Sequence, residues 1–132
     1  MRTKLTSEEK AERARQRHSE SAKDFHRANP RCWMCEFLGR QQTSPTELHH
    51  MAGRGRRHDV RQNYAALCDR CHRALQSVVD AEVVCLVLKL RHDSAHYNPA
   101  LICDLRGWAP TWINTLDVRR CERIMGIMRE VA

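Results

Sequence analysis

Four cysteines in two Cys-x-x-Cys pairs are the residues of this 132-residue chain whose spacing points most directly to metal chemistry. The pairs are Cys32 with Cys35 and Cys68 with Cys71. Four thiolates at two close spacings can complete a tetrahedral shell around zinc, and four sulfurs leave no open position for a substrate. We therefore expect a structural zinc site whose metal contributes directly to the folding free energy. The 32 residues between the pairs exceed the usual zinc-ribbon spacing, so this segment is expected to hold more than a turn.

Other uses of the cysteines fit the sequence less well. A single Cys-x-x-Cys can be a thioredoxin-like redox motif, but two of them without a surrounding βαβ pattern favour metal binding. A disulfide framework is not expected, because seven is an odd number of cysteines and reducing compartments keep thiols reduced. Cys85, Cys103 and Cys121 fall on apolar faces, where core packing is the expected role.

Four polar residues stand close to the cysteines in sequence: His49 and His50 in the segment ELHHM, Asn63 at the start of NYAALC, and His72 directly after the second pair. A lone histidine is usually a surface residue or a satisfied core residue. The spacing of these three histidines relative to the cysteine pairs has no such explanation, whereas Asn63 could also cap a turn. Neighbouring residues on a strand point to opposite faces, so His49 and His50 are expected to have different roles.

The segments ELHHM (47–51) and NYAALCDRCH (63–72) resemble the pattern of the HNH nucleases. In that pattern the first cysteine pair of a zinc site is followed by E-x-H-H and an apolar residue, and then by a variable loop. The pattern ends with N-x-x-x-x-C-x-x-C-H, which contains the second cysteine pair. The resemblance extends from residue 32 to about residue 75, and it is specific because the histidines, the asparagine and the knuckle spacing must coincide. It implies a ββα-metal core and metal-dependent hydrolysis of DNA phosphodiester bonds by water, as nicking or double-strand cleavage.

The resemblance also implies a role for each matched residue. His49 and His72 would be ligands of a catalytic divalent metal. His50 would be the general base, and Asn63 would steady the loop that carries it. Histidine has an unperturbed pKa of roughly 6.5, close to what a base at neutral pH requires. Two imidazoles suit Mn2+, Ni2+ or Zn2+ at least as well as Mg2+, and Gln76 stands where some family members have a further histidine ligand.

The positive charge of the chain is concentrated before residue 74. The formal net charge is +7, and residues 74–132 contain seven basic and seven acidic side chains, so they add none of it. A basic surface suits a polyanion, because neutralised phosphates release counterions. The resemblance to the nucleases implies DNA as this polyanion, with RNA less favoured. The glycine-bearing segment 52–58 can follow a phosphate backbone closely. Four arginines in or near it are candidate phosphate contacts, with solvated surface charge as the alternative: Arg54, Arg56, Arg57 and Arg61.

These residues lie on predicted elements of both types. Residues 7–28 predict a charged helix that begins at a Thr6 capping signal and ends at an Asn-Pro pair. Segments 47–51 and 64–67 predict two short strands, and a helix opens at the second cysteine pair. Residues 81–92 predict a helix, either new or continuous with the preceding one, with a buried strand as the alternative.

Two further helices are predicted beyond residue 92. Asn98-Pro99 and Gly107 bound a short one, because proline suits the first helical position and glycine the position just past the end. The last one has an apolar stripe on one face. That stripe consists of Leu116, Cys121, Ile124, Met125 and Met128.

We therefore predict an α+β protein in three segments. A charged helical arm spans residues 1–30, a ββα-metal (HNH) core stapled by a four-cysteine zinc site spans 31–79, and a helical extension that packs on this core spans 80–132. The sequence begins without a secretory signal, and its longest apolar run is too short to cross a bilayer. We expect no membrane association and a cytoplasmic location, in a bacterium or, for a phage protein, in the host.

Two other functional classes are open from the sequence. The first is a catalytically silent zinc-containing module that binds nucleic acid through the same basic loop. The second is a helical adaptor built on the C-terminal half. Its apolar stripe could support a homodimer or bind a partner protein, although packing within the same chain is the simpler explanation. Cleavage of DNA that is lost on replacing His50 would separate the nuclease from both.

Overall fold

The computed structural model describes residues 4–55, 57–76, 78, 81–109, 123 and 126. In this part of the chain the fold is α+β, with helices arranged around a two-stranded antiparallel sheet. None of the described helices has the length and apolarity that a membrane span requires. In chain order, the helices and strands are α1 Ser7–Ala28, α2 Trp33–Leu38, β1 Thr46–His50, β2 Tyr64–Cys68, α3 Asp69–Gln76, α4 Ala81–His92 and α5 Pro99–Arg106.

The first helix confirms the prediction for residues 7–28 and is anchored near its end. The Thr6 hydroxyl accepts a hydrogen bond from Glu9 N at 3.1 Å, which caps the first turn as the sequence indicates. Phe25 is fully buried, with its ring edge-on to Trp33 at 5.8 Å and to Tyr64 at 5.5 Å between ring centroids. Phe25 therefore anchors the otherwise charged α1 to the core.

The two strands form a hairpin whose second strand is buried throughout. Thr46 pairs with Cys68 at one end and His50 with Tyr64 at the other. All five residues of β2 are buried, whereas β1 is mostly half-buried. β1 begins and ends one residue earlier than the predicted strand 47–51, because the chain turns away after His50, although Met51 N still donates to Asn63 O at 2.8 Å.

The helices beyond the hairpin settle the alternatives left open by the sequence. Residues 81–92 form a helix of their own, separate from α3, and not a strand. Helix α5 has the predicted ends: Asn98 Oδ1 accepts from Leu101 N at 3.1 Å, and Gly107 follows the helix with a φ of +71°. Cys85 and Cys103 are buried, as predicted.

Some predictions concern residues that the structure does not describe. Of the last predicted helix only Arg123 and Gly126 are described, both as helical, and its stripe lies outside the described residues: Leu116, Cys121, Ile124, Met125 and Met128. The same is true of Arg56 in the basic loop. The division of the chain at residues 30 and 80 stays a prediction.

Lys89 joins α4 to the start of β2 from inside the core. The side chain is fully buried, and its Nζ donates to Arg61 O at 2.6 Å and to Tyr64 O at 2.8 Å. Asp93 Oδ2 lies 2.9 Å from the same Nζ. Burial lowers the pKa of Lys89, while the Asp93 carboxylate opposes this shift. Lys89 therefore holds residues 61–64, which include Asn63 and the first residue of β2.

Candidate functional site

The four cysteine sulfurs form one buried cluster. All four Sγ atoms lie within 4.8 Å of one another, and Cys35 Sγ is 3.8 Å from Cys68 Sγ and 3.7 Å from Cys71 Sγ. Four sulfurs about 2.3 Å from one zinc ion stand roughly 3.8 Å apart at tetrahedral angles. A hydrogen bond from Cys71 lowers the pKa of the Cys32 thiol, which favours a thiolate there. The cluster is therefore compatible with a structural zinc ion.

Each cysteine pair spans the start of a helix. Cys32 is the N-cap of α2, and its sulfur accepts a hydrogen bond from Cys35 N at 3.4 Å. In the second pair, Cys68 is the last residue of β2 and Cys71 lies in the first turn of α3. The two helix starts and the hairpin therefore bring the four sulfurs together.

Arg40 gives the sulfur cluster a cationic neighbour. Helix α2 ends at Gly39, whose φ of +66° is a left-handed conformation that glycine adopts at low cost. The chain then turns back, so that Arg40 N donates to Cys35 O at 3.0 Å and Arg40 Nη2 donates to Cys71 Sγ at 2.8 Å. A guanidinium at this position offsets part of the negative charge of four thiolates. The sequence does not predict Arg40 as a partner of the cluster, although Gly39 is typical of the end of a helix and so indicates a turn in the chain here.

His49 and His72 lie in contact, one on the hairpin and the other on the helix that follows it. Their ring centroids are 4.7 Å apart, with the rings inclined at 72°. His49 comes from β1, and His72 from the first turn of α3, one residue after Cys71. His72 Nδ1 lies 3.0 Å from Glu47 Oε2. If Nδ1 donates to this carboxylate, the lone pair of His72 is on Nε2, the arrangement common for histidines that bind metals.

The charge state of His49 suits a metal ligand. Burial lowers the pKa of His49 to about 4, and the neighbouring positive charges of His72, His50 and Arg106 add to the effect. The ring is therefore neutral at neutral pH, and metal binding requires a neutral imidazole. The chemistry of these two imidazoles fits a borderline divalent ion.

His50 occupies a different environment from its neighbour in β1. Its side chain is only 6% exposed, its ring is edge-on to Tyr64 at 5.4 Å, and its Nε2 lies 2.9 Å from Asp59 Oδ1. The two adjacent histidines thus have different partners, as expected for neighbouring residues of a strand. Sequence analysis missed Asp59, although it is the only acidic residue between Glu47 and Asp69.

Asn63 holds both ends of the loop that follows β1. The side chain is fully buried; its Oδ1 accepts from Ala52 N at 2.7 Å, and its Nδ2 donates to Gly53 O at 3.2 Å and to His58 O at 3.0 Å. Replacing this amide would leave the buried Ala52 N–H and two part-buried carbonyls without these partners. Asn63 therefore does more than cap a turn, because it clamps the basic loop from two sides.

The candidate phosphate-contacting arginines have different surroundings. Arg54 is exposed, and Arg57 is exposed with its Nη1 3.2 Å from Asp104 Oδ2. Arg61 is less accessible, because its Nε and Nη2 donate to the buried Asp93 at 3.2 Å and 3.3 Å. The roles of all three in binding nucleic acid stay predictions.

The histidine pair offers two protein ligands in the described structure. Of the described residues, only the four cysteines form a group of three or more His, Cys, Asp or Glu ligands close enough for one ion. A cavity of about 210 Å³ opens beside His49, and Gln76 is among its lining residues. Water and phosphate oxygens would have to complete a shell around an ion held by His49 and His72.

Comparison of the chain with models of known families, with curated proteins and with solved structures finds no match. The class that fold and site define is therefore an α+β protein with a buried four-cysteine cluster that could bind zinc. Beside that cluster lie a pair of touching histidines and a third histidine held by a carboxylate.

Proposed function

We propose that this protein is a metal-dependent endonuclease of the HNH type that hydrolyses DNA phosphodiester bonds. The observation that carries the proposal is the contact between the His49 and His72 rings, 4.7 Å apart between centroids. These two residues stand in the segments ELHHM and NYAALCDRCH, which resemble the nuclease pattern. His72 directly follows a cysteine of the sulfur cluster, so a structural zinc ion would also fix the position of this imidazole.

His49 and His72 would hold the catalytic divalent ion, for which Mg2+, Mn2+, Ni2+ and Zn2+ are the candidates. When bound, such an ion supplies positive charge to the phosphate and to the departing oxygen. Glu47 orients His72 through the contact at Nδ1. His49 contributes a ring that is already neutral at neutral pH.

His50 is the proposed general base. Its Nε2 lies 2.9 Å from Asp59 Oδ1, and this carboxylate would hold the imidazole in place beside an attacking water. His50 takes a proton from this water as the new oxygen–phosphorus bond forms and the ester oxygen–phosphorus bond breaks. The departing oxygen gains its proton from solvent, and no covalent bond to the protein forms.

The loop clamped by Asn63 follows His50 in the chain and carries exposed positive charge. Arg54 and Arg57 lie on this loop and are exposed, which suits contacts with the phosphate backbone. Asn63 bonds both ends of the loop and so limits its motion. DNA is the proposed partner, with RNA the less favoured substrate.

A cleavage assay on supercoiled plasmid DNA, with each of Mg2+, Mn2+, Ni2+, Co2+ and Zn2+ in turn, tests the proposal. We expect cutting by the wild type, and a loss of at least a hundredfold for His50→Ala, because general bases contribute about 10²- to 10⁴-fold. His26→Ala on α1 is the matched control and should cut normally. Wild-type protein that binds DNA but never cuts it contradicts the proposal and favours the silent zinc-containing nucleic-acid-binding module.

A further inference from the structure

The cavity beside His49 is partly built by helices outside the segment that resembles the nucleases. Its volume is about 210 Å³, and its polar lining comes from His49, Gln76, Glu82 and Arg106, while apolar side chains line the rest. At roughly 30 Å³ per water molecule, the cavity has room for about seven waters. A phosphate group with part of its sugar can therefore enter.

Arg106 of α5 brings a fixed positive charge to this cavity. Its Nη2 donates to Met51 O at 3.3 Å and to Glu82 Oε1 at 2.7 Å. Among the residues that the structure describes, no acceptor bonds its Nη1 or Nε, and the side chain is 37% exposed. A guanidinium has five N–H donors, and Nη2 carries two of them. The other three are thus available to a ligand.

We propose that this cavity is a subsite for a backbone phosphate of the nucleic acid next to the scissile one, with Arg106 as its cationic contact. The inference rests on the proposed endonuclease function, because His49 lines the same cavity and would face the scissile phosphate. Arginine binds phosphate oxygens through paired N–H groups, and the apolar part of the lining limits competition from water. The Arg106 charge also acts on His49, whose pKa it helps to lower.

Glu82 controls how strongly this subsite attracts a phosphate. Its side chain is only 15% exposed and binds Arg106, so it neutralises part of the guanidinium charge and repels a second anion. Replacing Glu82 by glutamine removes the repulsion while keeping the side chain's size. The subsite therefore predicts opposite effects on substrate binding for substitutions of Arg106 and Glu82. A pair with only a structural role predicts effects in the same direction.

Steady-state cleavage of a duplex oligonucleotide, with the metal that best supports the wild type, tests the subsite. Arg106→Gln should raise KM roughly tenfold and change kcat less, and Glu82→Gln should lower KM a few-fold. Arg91→Gln removes an exposed arginine that lies over the Phe37 ring, and it should leave KM near the wild-type value. On a duplex with one neutral methylphosphonate beside the cleaved bond, wild type and Arg106→Gln should have equal KM.

The outcomes separate this inference from the endonuclease proposal. Equal KM for Arg106→Gln and Arg91→Gln, or a raised KM for Glu82→Gln, overturns the subsite and leaves the endonuclease standing. If the wild type cuts nothing, the endonuclease is wrong, and fluorescence anisotropy on the same duplex then tests the subsite alone. Binding that is roughly tenfold weaker for Arg106→Gln than for Arg91→Gln supports it, and equal binding overturns it. Should thermal melting show Arg106→Gln unfolded, Arg106→Lys, which loses the paired N–H geometry, takes its place.

Discussion

The three histidines of the candidate site depend on carboxylates or on one another for their orientation. Glu47 faces His72 Nδ1 at 3.0 Å, and Asp59 faces His50 Nε2 at 2.9 Å. In each case the carboxylate occupies one ring nitrogen and so determines which nitrogen can act elsewhere. His49 has a ring contact with His72 instead. Substituting Glu47 or Asp59 therefore tests the orientation of an imidazole without removing the imidazole itself.

Asp59→Asn should lower kcat for DNA cleavage roughly ten- to a hundredfold while leaving KM nearly unchanged, as for other groups that orient a functional histidine. The amide keeps the size of the side chain but loses the charge that holds His50 Nε2 next to residue 59. Asp24→Asn, an exposed carboxylate on α1, is the matched control. Wild-type kcat for Asp59→Asn would show that this carboxylate does not act through His50.

The lowered pKa of His49 predicts how stability depends on pH. An unfolded histidine titrates near 6.5, whereas folded His49 titrates at about 4, so between these values the unfolded chain binds the extra proton. The stabilisation is therefore fully present above about pH 6.5 and is lost as the pH falls toward 4. Denaturant unfolding should show that the wild type loses more free energy across this range than His49→Gln. Zinc release in acid affects both proteins, and parallel pH profiles would contradict the assignment.

At the level of helices and strands, the sulfur cluster depends on how α2 ends. Gly39 turns the chain so that Arg40 returns to the cluster and donates to Cys71 Sγ. This contact joins the end of one helix to the start of another, α3. A guanidinium beside four thiolates should slow their protonation and the loss of zinc.

Arg40→Gln should therefore release zinc roughly ten times faster to a chelator than the wild type, the size of effect typical for groups that support metal ligands. Arg31→Gln is the matched control, because it removes an exposed arginine from the residue before Cys32. A colorimetric zinc-release assay measures both rates. Equal rates would mean that the Arg40 contact adds nothing to metal retention.

Local signals in the sequence predict much of this arrangement. The Thr6 cap and the Pro99 and Gly107 signals act within one turn of a helix, and the bounds of α1 and α5 are confirmed. The Cys-x-x-Cys spacing likewise depends on a short stretch of chain. The extra strand residue at Cys68 and the separate α4 could not be assigned from such signals, because packing against other elements decides them.

Most of the contacts that the sequence did not predict join residues that are far apart in the chain. Arg106 donates to Met51 O, 55 residues away, and Lys89 donates to Arg61 O and Tyr64 O. Periodicity places a lysine on a helix, but it does not show which backbone oxygens that lysine will meet. Asp59 was similarly invisible, because its contact with His50 depends on the shape of the loop between them.

For the molecule as a whole, Lys89 joins the helices to the hairpin. Its ammonium lies among Arg61 O, Tyr64 O and Asp93, and within 5.4 Å of the Phe25 ring centre of α1. Such a buried cation is stabilising only while its partners stay in place. Removing it would take one partner from Asp93, which keeps Arg61 and His96, and one donor from each of two backbone carbonyls.

Lys89→Met should lower the free energy of unfolding by about 1–3 kcal/mol, because Asp93 loses one of its cationic partners and two carbonyls lose a donor. Lys23→Met, an exposed lysine on α1, should change it by less than about 0.5 kcal/mol. Urea unfolding measures both. A small loss for Lys89→Met would show that the core reorganises around the gap.

The position of His72 one residue after Cys71 has a further consequence. A larger ion in the sulfur cluster, such as Cd2+, would lengthen every metal–sulfur bond and displace the first turn of α3. The imidazole would move with that turn and separate from its neighbour in β1. Under the proposed endonuclease function, exchange of an ion that touches no substrate would then slow the cutting of DNA.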